Sequence, residues 1–421
     1  MGKGMKIKRR RNGYRSGRPS PLQVVLAILA AAVLFAAGWF LYQPAYQWIM
    51  NLAQPGQENQ PPQEEPSVQV QPEEPQQPEE PDPFWQKELQ AVWVPAGASG
   101  SNAALESYLS TLPGDPVNAV VLELKDRQGS VLYQSKVETA LQAGACKEGA
   151  IDLAAAVEAL HAKDYLVLGR IHAFEDRTAT AALPDGKVLY KGTDYTWLDN
   201  SAGEGGKPWL NPYSRQAQDY IVALAAEALS MGLDAIVLDG VQFPTGFSLE
   251  LADYGETEGL SRPQVLSGFV ERVEKIVRTH EGIGCWVYME SAELLLPEAM
   301  GELGPYGGDA KQMLRDHALM VNVVPASFGI GTEPQPGVTL PANPIRSPGE
   351  TVAAALSQMG LSMDGALVVP VVQAYTASDI ASEFNLAYGE EEVSAQIQAA
   401  LDYGCRSVVL FDPDGAYSAI K

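Results

Sequence analysis

Eight short apolar runs, separated by helically patterned or Pro/Gly-punctuated chain, predict an α/β fold of the (β/α)8 barrel type. One N-terminal transmembrane helix and a disordered Pro/Gln/Glu-rich linker are expected to precede it. The runs are 89–94, 118–124, 165–171, 234–239, 284–289, 318–324, 366–372 and 406–411. Strand, crossover and parallel strand, eight times over, is the connectivity of a closed parallel barrel. Apolar periodicity predicts helices at 151–163, 213–231, 263–279, 350–359 and 391–403, with a weaker one at 309–316.

The stretch 209–244 states the unit most plainly. Asn211 and Pro212 read as the cap and first residue of a helix, because Pro there loses no needed N–H. Ile221, Leu224, Ala225 and Ala228 fall on one face, and Gly232 permits the left-handed stop. The run from Asp234 to Asp239 is apolar between its two acids, as a strand covered on both faces must be. Asp239 stands at its carboxyl end, where parallel α/β folds place their ligands.

Residues 1–20 carry eight Lys or Arg and no acid, and form a cytoplasmic basic tail. Residues 21–43 then hold no charge, which reads as an uncleaved signal anchor, since about twenty apolar residues cross a hydrocarbon core of about 30 Å. The basic flank stays inside and the rest is placed outside the cell membrane. The linker, 44–83, contains nine Pro, eight Gln and seven Glu between Gln54 and Pro83 and has little to bury. It should hold the barrel domain, 84–421, off the membrane.

The formal charge is −23, and the eight positives of the tail cancel the linker's eight acids, so the barrel domain carries essentially all of it. Such a body disfavours nucleic acid as a partner, because phosphates need Lys and Arg. Cys146, Cys285 and Cys405 are too few to organise a disulfide framework, and the last two read as core thiols. No two of the four His have zinc-helix spacing, and neither a G-x-S-x-G elbow nor a phosphate-binding loop occurs. The expectation is therefore no cofactor, no metal and no nucleotide. One connection, 172–211, is long for a compact domain yet holds Phe174, Tyr190, Tyr195, Trp197 and Trp209, which argues against disorder.

L-E-L-K-D (122–126), G-R-I-H-A-F-E-D (169–176), W-L-D (197–199), P-W-L-N-P-Y-S (208–214), A-A-E-A (225–228) and L-D-G-V-Q-F-P (238–244) resemble, in the same order, the motifs of a bacterial family of glycosyl hydrolase domains with a TIM-barrel fold. The resemblance runs from about Ala91 to Tyr417 and implies hydrolysis of glycosidic bonds. The family's last motif reads D-Y-V-R-F-P, where this chain has Gly240 and Gln242. Losing that Arg removes a fixed cation that could pair the acid or orient a sugar hydroxyl.

Glycoside cleavage generally uses two carboxyl groups, one to protonate the leaving oxygen and one to attack or to activate water. Asp239, ending the fourth run, and Glu290, following the fifth, form the expected catalytic pair. Glu290 is the better acid by reference pKa and reach, and Asp239 the better nucleophile or base. The expected substrate-binding set is Lys125, Asp126, Arg170, Trp197, Asp199, Trp209, Gln242 and Gln373, with the tryptophans as sugar-stacking faces. Each has a plainer reading, the acids and cations as salt bridges at the barrel mouth and the tryptophans as the long loop's own core. The sequence thus points to a membrane-anchored hydrolase of a cell-surface or cell-wall polysaccharide. The alternatives are a catalytically silent carbohydrate-binding or scaffold barrel and, more weakly, a wall peptide hydrolase.

Overall fold

The computed structural model describes residues 87–420 except 113, 296–300, 302, 315, 329–337, 362–367, 379, 381 and 418–419. The basic tail, the apolar segment 21–43 and the linker 44–83 all lie outside the described residues. Among the described residues no helix is long and apolar enough to cross a membrane.

Twelve strands are described. In chain order they are β1 (Gln90–Trp93), β2 (Ala119–Lys125), β3 (Val131–Tyr133), β4 (Cys146–Ile151), β5 (Leu166–His172), β6 (Leu189–Tyr190), β7 (Ala235–Asp239), β8 (Ala252–Asp253), β9 (Gly284–Glu290), β10 (Leu319–Asn322), β11 (Val368–Gln373) and β12 (Val408–Phe411). The order β1-β12-β11-β10-β9-β7-β5-β2 closes on itself, because β1 pairs in parallel with both β12 and β2. Each of the eight barrel strands overlaps one of the eight apolar runs, including the fifth and sixth, whose crossover holds only the short helices Ser291–Leu295 and Ala310–Leu314 among the described residues.

Alternation along these strands divides the core in two. Ala91, Val121, Leu168, Val237, Trp286, Met320, Val371 and Val409, one from each barrel strand, pack together inside the ring. Their neighbours Val92, Val120, Val167, Ile236, Val287, Val321, Val372 and Leu410 belong to the outer core against the helices. Both faces of each of the eight barrel strands are thus covered, which is why the runs read as continuously apolar. All five residues of β7 are buried.

Helix boundaries follow local chemistry. Helix Arg262–Val277 starts at a capping box, with Gln264 accepting from the Ser261 N–H and Pro263 in the first turn. Helix Arg215–Ser230 is capped by Ser214, whose hydroxyl accepts from the Ala217 N–H, and not by Asn211 as expected. The Asn211 side chain is otherwise engaged, accepting from the Tyr213 N–H and donating to the Tyr254 carbonyl.

Two additions to the barrel had no strong sequence signal. Strands β3 and β4 extend the sheet beyond β2, and β4 has largely exposed or half-exposed residues that present no apolar run. The long connection 172–211 pairs β6 antiparallel with β8, only two residues each, too short to show a period. Cys146, Cys285 and Cys405 are free thiols, and burial pushes Cys405 up to about 12.

Candidate active site

Strand register builds the mouth of the barrel. Two residues beyond the inward ring, at the carboxyl ends of the strands, the same face carries Trp93, Glu123, Arg170, Asp239, Tyr288, Asn322, Gln373 and Phe411. The apolar filling thus gives way to a polar and aromatic layer where this architecture hosts chemistry.

Arg170 is its electrostatic centre. Its guanidinium bonds Glu123 on one side and Asp239 on the other, and lies 5.0 Å from the Trp93 ring centroid and 5.8 Å from that of Tyr288. Burial opposes its charge, but Asp239 and Glu123 more than restore it. Burial alone would also raise the Asp239 pKa. Arg170 and His172 outweigh that and hold the carboxyl well below the usual range, so Asp239 is ionised at neutral pH.

Asp239 is fixed from three directions. Besides Arg170, the His172 Nδ1 lies 3.3 Å from Oδ2, and the Gly240 N–H donates to Oδ1 at 2.5 Å. Gly240 has φ 59°, and a Cβ there would lie 2.3 Å from His172 Nε2. Glycine at 240 therefore makes room for the imidazole beside Asp239, and, with Gln at 242, it is Arg170 that pairs the acid.

Glu290 ends β9 opposite Asn322 of β10. It is exposed, and its oxygens accept from the Tyr288 hydroxyl at 3.0 Å and from Asn322 Nδ2 at 2.8 Å. Three residues on, Glu293 Oε2 accepts from the Glu290 N–H at 3.2 Å. Glu293 is half-buried and also hydrogen-bonded to Tyr306. Burial drives its pKa up; hydrogen bonds from Tyr306 and the Glu290 N–H oppose this, the charges of Glu290 and Asp239 add to it, and the result is about 7. Sequence reading passed over Glu293, because what distinguishes it is burial beside Tyr306, thirteen positions away.

Most other residues expected to bind substrate are engaged within the fold itself. Lys125 is fully buried, ion-paired with Asp176 at 3.0 Å and donating to the His172 carbonyl at 2.7 Å. It follows a register shift in β2, so it leaves the inward row that Glu123 ends. Asp126 accepts from the N–H groups of Gln128 and Ser130 in its own turn. Trp197 and Trp209 form a small core with Val188 and Ala252, and their indole N–H groups donate to the Ser248 carbonyl and Asp199 Oδ2. Asp199 also accepts from the Lys207 N–H. Gln373 is buried between the Ala326 N–H and the Tyr375 carbonyl. Gln242 Oε1, by contrast, meets the Tyr306 hydroxyl at 3.3 Å and so adjoins Glu293.

The structure thus gathers Asp239, Glu290, Arg170 and Gln242 with Glu123, Tyr288, Glu293, Tyr306 and Asn322. Trp93 packs edge-to-face on Tyr288 and Phe411, and Phe411 on Tyr375, at centroid distances of 5.8, 5.8 and 6.1 Å. Among the described residues no three His, Cys, Asp or Glu side chains gather as a metal ion would require.

A closed (β/α)8 barrel with carboxyl groups at its mouth is compatible with a glycoside-hydrolase-like domain. The chain belongs to the family described as "Putative glycosyl hydrolase domain", whose model matches residues 91–417. Among solved structures, the glycoside hydrolase domain of PgaB (BpsB) from Bordetella bronchiseptica aligns with 78% of this chain and 95% of its own, at 13% identity and a TM-score of 0.52. That likeness shows the fold. A hypothetical protein from Ruminiclostridium thermocellum is 22% identical, with 47% of this chain and 96% of that one covered and a TM-score of 0.40. The glycoside hydrolase domain of PelA from Pseudomonas aeruginosa is 14% identical, with 77% and 95% covered and a TM-score of 0.37. Comparison with curated proteins finds no match.

Proposed function

We propose that this chain is a membrane-anchored, extracytoplasmic glycoside hydrolase that cleaves a cell-surface or cell-wall polysaccharide with paired carboxyl groups. The observation that carries the reading is the set of carboxyls at the mouth: Asp239 of β7, held ionised by Arg170 of β5, with Glu290 at the end of the adjacent strand β9 and Glu293 in the helix that follows it. Acetal hydrolysis needs one negative group facing the anomeric carbon and one proton donor facing the leaving oxygen. Asp239 takes the first part. Glu290, the partner expected from sequence, and its neighbour Glu293 supply the second. Trp93, Tyr288 and Phe411 offer aromatic edges and faces to the C–H surfaces of a sugar. The anchor rests on residues 21–43, uncharged behind eight basic residues.

One experiment addresses both halves. Membranes from cells producing the chain should release reducing ends from purified wall or surface glycans, and protease cutting within 54–83 on intact cells should free active protein. Glycan binding without release would favour the silent scaffold instead. Activity found only in the soluble cell interior would rule out the anchor.

A further inference from the structure

We propose that Glu293, rather than Glu290, donates the proton to the departing glycosidic oxygen, and that Tyr306 and Gln242 hold it ready to do so. The proposal rests on the hydrolase reading above and goes further, by assigning the acid.

The hydrogen-bond inventory separates the two glutamates. Glu290 is exposed, and each of its oxygens accepts a side-chain hydrogen bond, Oε1 from Tyr288 and Oε2 from Asn322, whereas Glu293 is half-buried. Glu293 uses Oε2 to accept the Glu290 N–H, and among the described residues it also hydrogen-bonds the Tyr306 hydroxyl, which can work in either direction. While Glu293 is protonated, Tyr306 donates its only proton to Gln242 Oε1 and accepts from the carboxyl. Once the proton has left, the phenol turns and donates to the new carboxylate. An acid that must cycle between two charge states thus has a partner for each. Burial and the charges of Glu290 and Asp239 favour the protonated state, whereas Tyr306 and the Glu290 N–H oppose it.

In the proposed step the Glu293 O–H bond breaks and its proton joins the glycosidic oxygen. The C1–O bond breaks with its electron pair staying on that oxygen, and the positive charge at C1 faces the Asp239 carboxylate. Water then adds to C1 and gives one proton to the carboxyl pair, which restores two carboxyl groups sharing one proton.

A leaving-group test distinguishes an acid from a structural residue. With the full chain, Glu293→Gln should cost at least about 100-fold on the natural glycan, the scale of general acid catalysis. It should cost far less on the 2,4-dinitrophenyl glycoside of the same sugar, whose leaving group departs without a proton. Tyr306→Phe removes a hydrogen bond to the charged form and should move the alkaline limb of the pH–rate profile upward. If Glu290→Gln shows the split and Glu293→Gln does not, the assignment fails while the hydrolase reading stands. A chain that cleaves neither substrate class overturns the hydrolase reading and this assignment with it. Independently of any substrate, 13C labelling of glutamate carboxyls should show a resonance titrating near 7 that is missing in Glu293→Gln. Its absence from the wild type would overturn the assignment.

Discussion

Asp239→Asn should leave the barrel folded and lower turnover by at least about 100-fold. The amide keeps the shape, and its oxygen can still accept from the Gly240 N–H, while Arg170 retains Glu123 as a partner. What disappears is the negative charge opposite the developing positive one, together with any role as base or nucleophile. Because the two working carboxyls act on one transition state, combining Asp239→Asn with Glu293→Gln should cost much less than the product of the two separate losses. Steady-state rates with matched unfolding curves would check this. A variant retaining more than a tenth of wild-type turnover would move the chemistry away from β7.

The second large effect is on stability. Lys125→Met should destabilise the barrel by about 3–5 kcal/mol, the usual cost of leaving a buried charge without its partner. Lys125 and Asp176 are both wholly buried, and Asp176 Oδ1 also accepts from the N–H groups of Thr178 and Ala179, so the loop after β5 depends on that carboxylate. Adding Asp176→Asn should recover part of the loss, since the amide oxygen can still accept both N–H groups without the unpaired charge. Denaturant midpoints would measure both. A loss below about 1 kcal/mol, the range of an exposed pair, would show that the Lys125–Asp176 pair does not hold this loop.

The barrel was legible because its signal is redundant. A strand such as β7 must be apolar on both faces, and a helix such as Arg215–Ser230 must repeat Ile221, Leu224, Ala225 and Ala228, so neither depends on one residue. Residues such as Leu189 and Tyr190 of β6 carry no such redundancy. Much of the mouth was legible too, by extending the inward alternation of each strand by two. That step leads to Arg170, Asp239 and Gln373, which were singled out, and equally to Trp93, Glu123, Tyr288, Asn322 and Phe411, which were not. Glu293 lay beyond this logic, since its environment depends on Tyr306 from a later segment. Residue type alone could not tell whether Trp197 and Trp209 face a ligand or one another's neighbours; large aromatic area favours burial when a loop can supply its own core, as Val188 and Ala252 do here.

The most direct test of the central claim is the structure of Asp239→Asn with an oligosaccharide cut from the glycan that the wild type cleaves. The account predicts an unbroken glycosidic bond at the barrel mouth, with its anomeric carbon facing position 239 and its bridging oxygen facing the glutamates that follow β9. Sugar bound instead in the cleft between Asp185, Lys187, Tyr213 and Asp253, with the mouth closed to it, would contradict the account.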